Sequence, residues 1–267
     1  ALQALPHGDL RFYTTEIAMA DVEAVRQALG SGRINAVGAS YGTRAVLSYQ
    51  RQFPQAVRRA VLDGVAPPDM RLPEAGGTDN QAAYDALLQA CAADATCARR
   101  HPDLPTRLPA LLASLPRTVQ LPHPVSGRWE SVLLQRETLL GMVRAPLYSP
   151  ALAAALPAAL AEAADGRWAP LAALAQALLG GGGGGIATGQ HFSVVCAEDL
   201  GPGAPAAQAA SAAPAASGAF AGGSVALYQA ACAGWPRGTV SPAFYALPPA
   251  VAPTWLLSGA LDPVTPP

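Results

Sequence analysis

"INAVGASYGTRAV", residues 34–46, sets a short apolar run directly against a glycine-flanked serine and follows it with a helical pattern. In a chain this rich in glycine, residue frequencies predict roughly 0.1 chance matches to G-x-S-x-G, so the bare pattern is weak. Its context carries more. Ala36 and Val37 end a strand-like run, Gly38 and Gly42 flank the turn, and a helix pattern starts at once. At such a strand-to-helix turn a serine is thrust out of the sheet in a strained conformation, and small neighbours avoid a clash. Ser40 is therefore the candidate nucleophile, and the backbone N–H of Tyr41, at the helix N-terminus, is the candidate oxyanion donor. The competing reading is a glycine-rich turn with a structural serine.

Working outward, residues 14–30 put Ile17, Val22, Val25 and Leu29 on one face, with Thr15 as a candidate N-cap and Gly30 as a stop. Behind the serine, Val46, Tyr49 and Phe53 share a helical face that Pro54 terminates, and "RRAVLDGV", 58–65, is a second short apolar strand. Helix, strand, helix, strand in this order implies a parallel sheet with right-handed crossovers. From Pro67 the chain turns to alanine, leucine and proline in helical patterns, over 79–93, 105–115, 134–144, 151–165 and 168–179, and strand signals almost vanish. Six glycines occupy 180–185, and 206–223 reads as a loose helix or a mobile loop. A strand-like run returns only at "TWLLSGALDP", 254–263. The expected organisation is a sheet core over 1–66, a mainly helical insertion over 67–250, and a return to the core over 251–267.

Composition narrows the function classes. Of 267 residues, 51% are hydrophobic, enough for a substantial core, while 13% are charged and the net charge is -1. That balance disfavours nucleic acid as a partner. All 17 basic residues are arginines, so chemistry through a lysine amine is excluded. The longest apolar stretches are alanine-dominated and interrupted, and none reads as a membrane span. Four cysteines allow three pairings, of which Cys91 with Cys97 and Cys196 with Cys232 is the simplest. Two disulfides would imply an oxidising compartment; four free buried thiols are the alternative. A zinc site from Cys91, Cys97 and His101 matches no common ligand spacing, and neither metal nor cofactor is expected.

A serine nucleophile on such a turn needs an acid after a later strand and then a histidine. Asp262 lies in a turn directly behind the last strand-like run and fits the acid, with Asp63, at the end of "VLDG", as its rival. His7, His101, His123 and His191 all precede Asp262, and only 33 residues precede the elbow strand. The second oxyanion donor and the base therefore have no obvious source in this sequence, and the expectation is a chain truncated at both ends with little or no activity.

The stretches "YTTEIAMADVEAVRQALG", "INAVGASYGTRAVLSYQRQFP", "RRAVLDGVAPP", "SVVCAED" and "WLLSGALDPVTPP" together resemble the secreted bacterial α/β-hydrolases of the tripeptidyl aminopeptidase and prolyl aminopeptidase type. The resemblance is close over residues 11–70 and over the last dozen residues. It implies a partial α/β-hydrolase sheet under a helical cap, and a serine exopeptidase acting on peptides with a free N-terminus, with Ser40 as nucleophile and Asp262 as triad acid. It also implies export. Glu198 resembles the cap glutamate that holds the substrate's α-ammonium, Asp199 is a possible substitute, and Phe192 and Trp235 are candidates to line the pocket. A carboxylesterase on the same fold, or a non-catalytic hydrolase-like binding protein, are the alternatives.

Overall fold

The computed structural model describes residues 4–123, 125–179, 186–205, 218–222, 224–248 and 252–267. The glycine run 180–185 and most of the stretch 206–223 lie outside them. Helix α1 (Thr15–Ala28) leads into β1 (Ile34–Ala39), which runs through the serine turn into α2 (Tyr41–Gln52), and β2 (Val57–Asp63) follows. The chain then passes through α3 (Leu72–Ala93), α4 (Ala95–Arg100), α5 (Leu104–Ala113), β3 (Arg117–Pro122), β4 (Trp129–Leu134), α6 (Arg136–Leu147), α7 (Pro150–Ala153), α8 (Leu156–Ala164), α9 (Ala169–Leu179), α10 (Thr188–Glu198) and α11 (Val225–Ala233). It re-enters the sheet as β5 (Thr254–Leu257).

The sheet order is β1-β2-β5, all parallel, as the alternation of helix and strand implies. Ala39 stands opposite Asp63, and Asp63 opposite Leu257. This register brings three strand ends together at the carboxyl edge of the sheet, where open α/β sheets place their ligand sites. Val46 and Leu47 of α2 pack on Ala60 and Leu62, while Tyr49 packs on Val57. The largest buried cluster is elsewhere, in the helical region, where Leu104, Leu108, Leu134, Leu139, Val143, Leu156, Leu160 and Leu171 are almost wholly withdrawn from solvent. Two disulfides pin that region: Cys91–Cys97 ties α3 to α4 and Cys196–Cys232 ties α10 to α11.

Three expectations need correction. The first is the outward pattern of α1: Val22, Val25 and Leu29 are exposed, whereas Thr15 and Glu23 are buried. Polar complementarity orients the helix, because the Glu23 carboxylate accepts from Arg26 Nη2 (2.7 Å), Gln27 Nε2 (2.8 Å) and, from α2, Tyr49 Oη (2.6 Å). The Arg26 guanidinium and the Tyr49 hydroxyl hold that carboxyl down at about 2. Thr14, not Thr15, precedes the first helical residue, and its side chain makes no capping bond. The last concerns 117–134, where β3 and β4 form an antiparallel hairpin with Val119 opposite Val132. Its alternation is short, and Val119 and Leu134 are its only buried side chains among the described residues, so the period-2 signal is faint beside the leucine-rich helices around it.

Candidate active site

Ser40 adopts φ 51° and ψ -122° at the junction of β1 and α2, a conformation that costs a non-glycine residue free energy and persists only where its surroundings enforce it. The enforcement is visible. Ser40 N–H donates to Asp63 O (2.9 Å), and its own carbonyl accepts from Thr43 N (2.9 Å) and Thr43 Oγ1 (2.7 Å). Thr43 Oγ1 in turn accepts from Ala66 N (2.8 Å), tying the turn to the loop behind β2. The two flanking glycines have different reasons. A Cβ on Gly38 would stand 2.2 Å from Gly42 O, so only glycine fits, while a Cβ on Gly42 would meet open space. Tyr41, the first residue of α2, presents a backbone N–H with no intrahelical acceptor at the positive end of the helix.

A cleft of about 580 Å³ opens at this edge, lined by Ser40, Asp63, Gly64, Tyr148, Asp262 and Thr265 together with small apolar residues of the helical region. Asp262 is held firmly in it. Its Oδ1 accepts from Val264 N (2.9 Å) and Thr265 N (3.0 Å), and its Oδ2 from Thr265 Oγ1 (2.7 Å). Gly64, at φ +63°, leaves room for this turn, because a Cβ there would lie 2.7 Å from Thr265 Oγ1 and 3.3 Å from Asp262 Oδ2. Asp63 also lines the cleft but is exposed, its backbone carbonyl serving the turn.

None of the four histidines lines this cleft. His101 Nδ1 shares a hydrogen bond with Arg107 Nη1 (3.1 Å), His191 Nε2 with Tyr228 Oη (2.8 Å), and His123 Nδ1 accepts from Ser126 N (3.2 Å) inside the hairpin turn. His7 lies on a different cleft, beside Phe12, Tyr13 and Tyr41.

Glu198 differs most from its expected place. It sits at the end of α10, 1% exposed, and is absent from the cleft lining. Its Oε1 accepts from Thr15 N (2.6 Å) and its Oε2 from Thr15 Oγ1 (2.9 Å), while Thr15 Oγ1 also bonds Tyr41 Oη (2.7 Å). Asp199 is equally buried and receives Arg44 Nη1 (2.6 Å) and Leu72 N (3.0 Å). The adjacent carboxylates therefore fasten α10 to α1, α2 and the start of α3, and neither is free for a ligand. Arg44 and Thr15 carry no sequence signal for this role, because their partners lie 155 and 183 positions away. Phe192 and Trp235 also pack away from the cleft, their rings 5.4 Å apart, with Tyr228 5.5 Å from Phe192.

Strand register, strained serine and cleft meet an independent similarity. Residues 6–98 match the family model described as alpha/beta hydrolase fold. The fold class is that of the α/β-hydrolases: a parallel sheet with flanking helices and a serine at the strand-to-helix turn. Within that class the similarity is to peptidase-type proteins. The chain is 32% identical over 166 residues to serine protease Hip1 of Mycobacterium tuberculosis (strain ATCC 25618 / H37Rv), covering 58% of this chain and 31% of that protein. It is 39% identical over 66 residues to tripeptidyl aminopeptidase of Streptomyces lividans, covering 25% and 11% respectively. Over 56 residues it is 41% identical to putative hydrolase YuaR of Escherichia coli (strain K12), covering 21% and 11%. The chain thus spans 31% of the length of the Hip1 proteins it matches.

Proposed function

We propose that Ser40 is the nucleophile of a serine exopeptidase that cleaves peptides bearing a free N-terminus through an acyl-enzyme. The observation that carries this reading is the strained Ser40 opening into a cleft that also holds the firmly hydrogen-bonded Asp262 carboxylate. In this mechanism Ser40 Oγ attacks the scissile carbonyl and the Tyr41 N–H donates to the developing oxyanion. Asp262 orients and stabilises an imidazolium, which passes the Ser40 proton to the leaving amine as the scissile C–N bond breaks, and water then hydrolyses the acyl-enzyme. The region between β2 and β5 acts as a cap whose helices close the cleft. The two disulfides support an oxidising compartment. No helix among the described residues is long and apolar enough to cross a membrane.

The base that takes the Ser40 proton is not among the residues lining the cleft. We therefore expect this chain alone to be nearly inert, and to gain reactivity within a longer protein that brings a histidine to Asp262. Labelling with a fluorophosphonate probe, mapped by mass spectrometry, tests both parts. Labelling at Ser40 of the longer protein, lost in Ser40→Ala, supports the nucleophile. Failure of the longer protein to label overturns it, and rapid labelling of the 267-residue chain alone overturns the need for an added base.

A further inference from the structure

With Glu198 and Asp199 fully engaged elsewhere, a peptide-cleaving reading lacks a group to hold the substrate's amine. Helix α3 supplies a carboxylate. It forms one wall of the cleft through Ala83, Ala86, Leu87 and Ala90. At 3.6 residues per turn, position 79 falls on the same face, one turn before Ala83 and just beyond the residues that line the cleft. Asp79 occupies it. The side chain is half-buried and lies near enough to Asp262 for the two charges to repel. Burial first, and that repulsion second, push the Asp79 carboxyl up to about 6.

The other carboxylates nearby are occupied or exposed. Asp262 accepts three hydrogen bonds from its own turn, and Asp63 stands at the open rim. Among the described residues no hydrogen bond or ion pair engages Asp79. Nor does any arginine among the described residues line the cleft, whose remaining wall is mostly alanine, leucine, proline and glycine with Tyr148, Val264 and Thr265. A half-buried carboxylate without a counter-ion, one helical turn from the apolar cleft wall at Ala83 and near Asp262, favours a ligand that brings a positive charge on an apolar body.

Resting on the exopeptidase reading, we propose that Asp79 is the specificity-determining residue that receives the α-ammonium of the substrate. An apolar N-terminal side chain then packs on the alanines of α3 and α7. Binding of the cation supplies the counter-charge that relieves the repulsion between Asp79 and Asp262. This assigns to an aspartate of α3 the task that the sequence suggested for Glu198.

The test is a binding measurement that needs no turnover. The full chain carrying Ser40→Ala is titrated calorimetrically with leucyl-alanine amide and with its N-acetyl counterpart. The expected result is a preference of about tenfold or more for the free amine, the scale of one charge-assisted contact. Asp79→Asn should reduce that preference to near unity, while Asp79→Glu, which keeps the charge, should retain most of it. Circular dichroism checks that each variant is folded, and if Asp79→Asn is not, Asp79→Ala takes its place. An unchanged preference in the folded, uncharged variant overturns the Asp79 assignment alone. No preference in the parent overturns both the assignment and the free-N-terminus reading, whereas labelling of Ser40 would still stand.

Discussion

Burying the Glu198 carboxyl sets two effects against each other. Desolvation raises its pKa, while the two Thr15 hydrogen bonds and the nearby Arg44 lower it; desolvation wins and the group is pushed up to about 7. The consequence is a pH-dependent stability with a definite sign. Below the ordinary value of 4.5 the folded and unfolded chains both hold the proton. Between 4.5 and about 7 the unfolded chain has released it and the folded chain has not, so stability falls as pH rises through that window and then levels off. The size follows from about 1.4 kcal/mol per pKa unit, a loss on the order of 3 kcal/mol. Glu198→Gln should flatten the decline, as followed by urea denaturation at pH 4.5, 6 and 7.5. An equally steep decline in the variant would place its origin in another group. The role itself was illegible in "CAED", because the number and direction of a carboxylate's donors depend on segments that meet it only after folding.

At the scale of elements, the run from β1 into α2 was the most legible part of the chain, and its physics is local. Gly38 must be small because Gly42 O passes over it, and Ser40 is strained because the chain turns within one residue. Gly38→Ala should therefore cost at least ~1–3 kcal/mol through forced displacement of the first turn of α2. Gly42→Ala, facing open space, should cost far less, and any helix-propensity gain would favour alanine there. Thermal unfolding of both variants checks the asymmetry; equal losses would mean that the turn is not held as tightly as the contacts indicate. Elsewhere, local pattern was ambiguous. The hairpin of β3 and β4 hid among helices, and Val22, Val25 and Leu29 of α1 face outward because one buried carboxylate with three donors orients the helix.

At the scale of the whole molecule, α1 and both edge strands of the sheet carry exposed apolar side chains. Val22, Val25 and Leu29 of α1, Val37 of β1, and Trp255, Leu256 and Leu257 of β5 are all exposed, and among the described residues β1 and β5 are the two edges of a three-stranded sheet. Apolar faces beside unpaired strand edges promote association. Sedimentation velocity on the 267-residue chain should show concentration-dependent self-association, weakened by the paired change Val37→Thr and Trp255→Lys. A strictly monomeric chain across micromolar to near-millimolar concentrations would contradict the expectation. The amino-acid sequence by itself determined the serine turn, the parallel succession of helix and strand, the peptidase-type resemblance and the simplest cysteine pairing, because each is written in residues close together or in residue type alone. Only the tertiary structure decided that Glu198 and Asp199 bind Thr15 and Arg44, and that Asp79 lies on the cleft face of α3 near Asp262. Those facts depend on which distant segments share a buried volume, and there the cost of leaving a charge without partners selects among arrangements that the local pattern leaves equal.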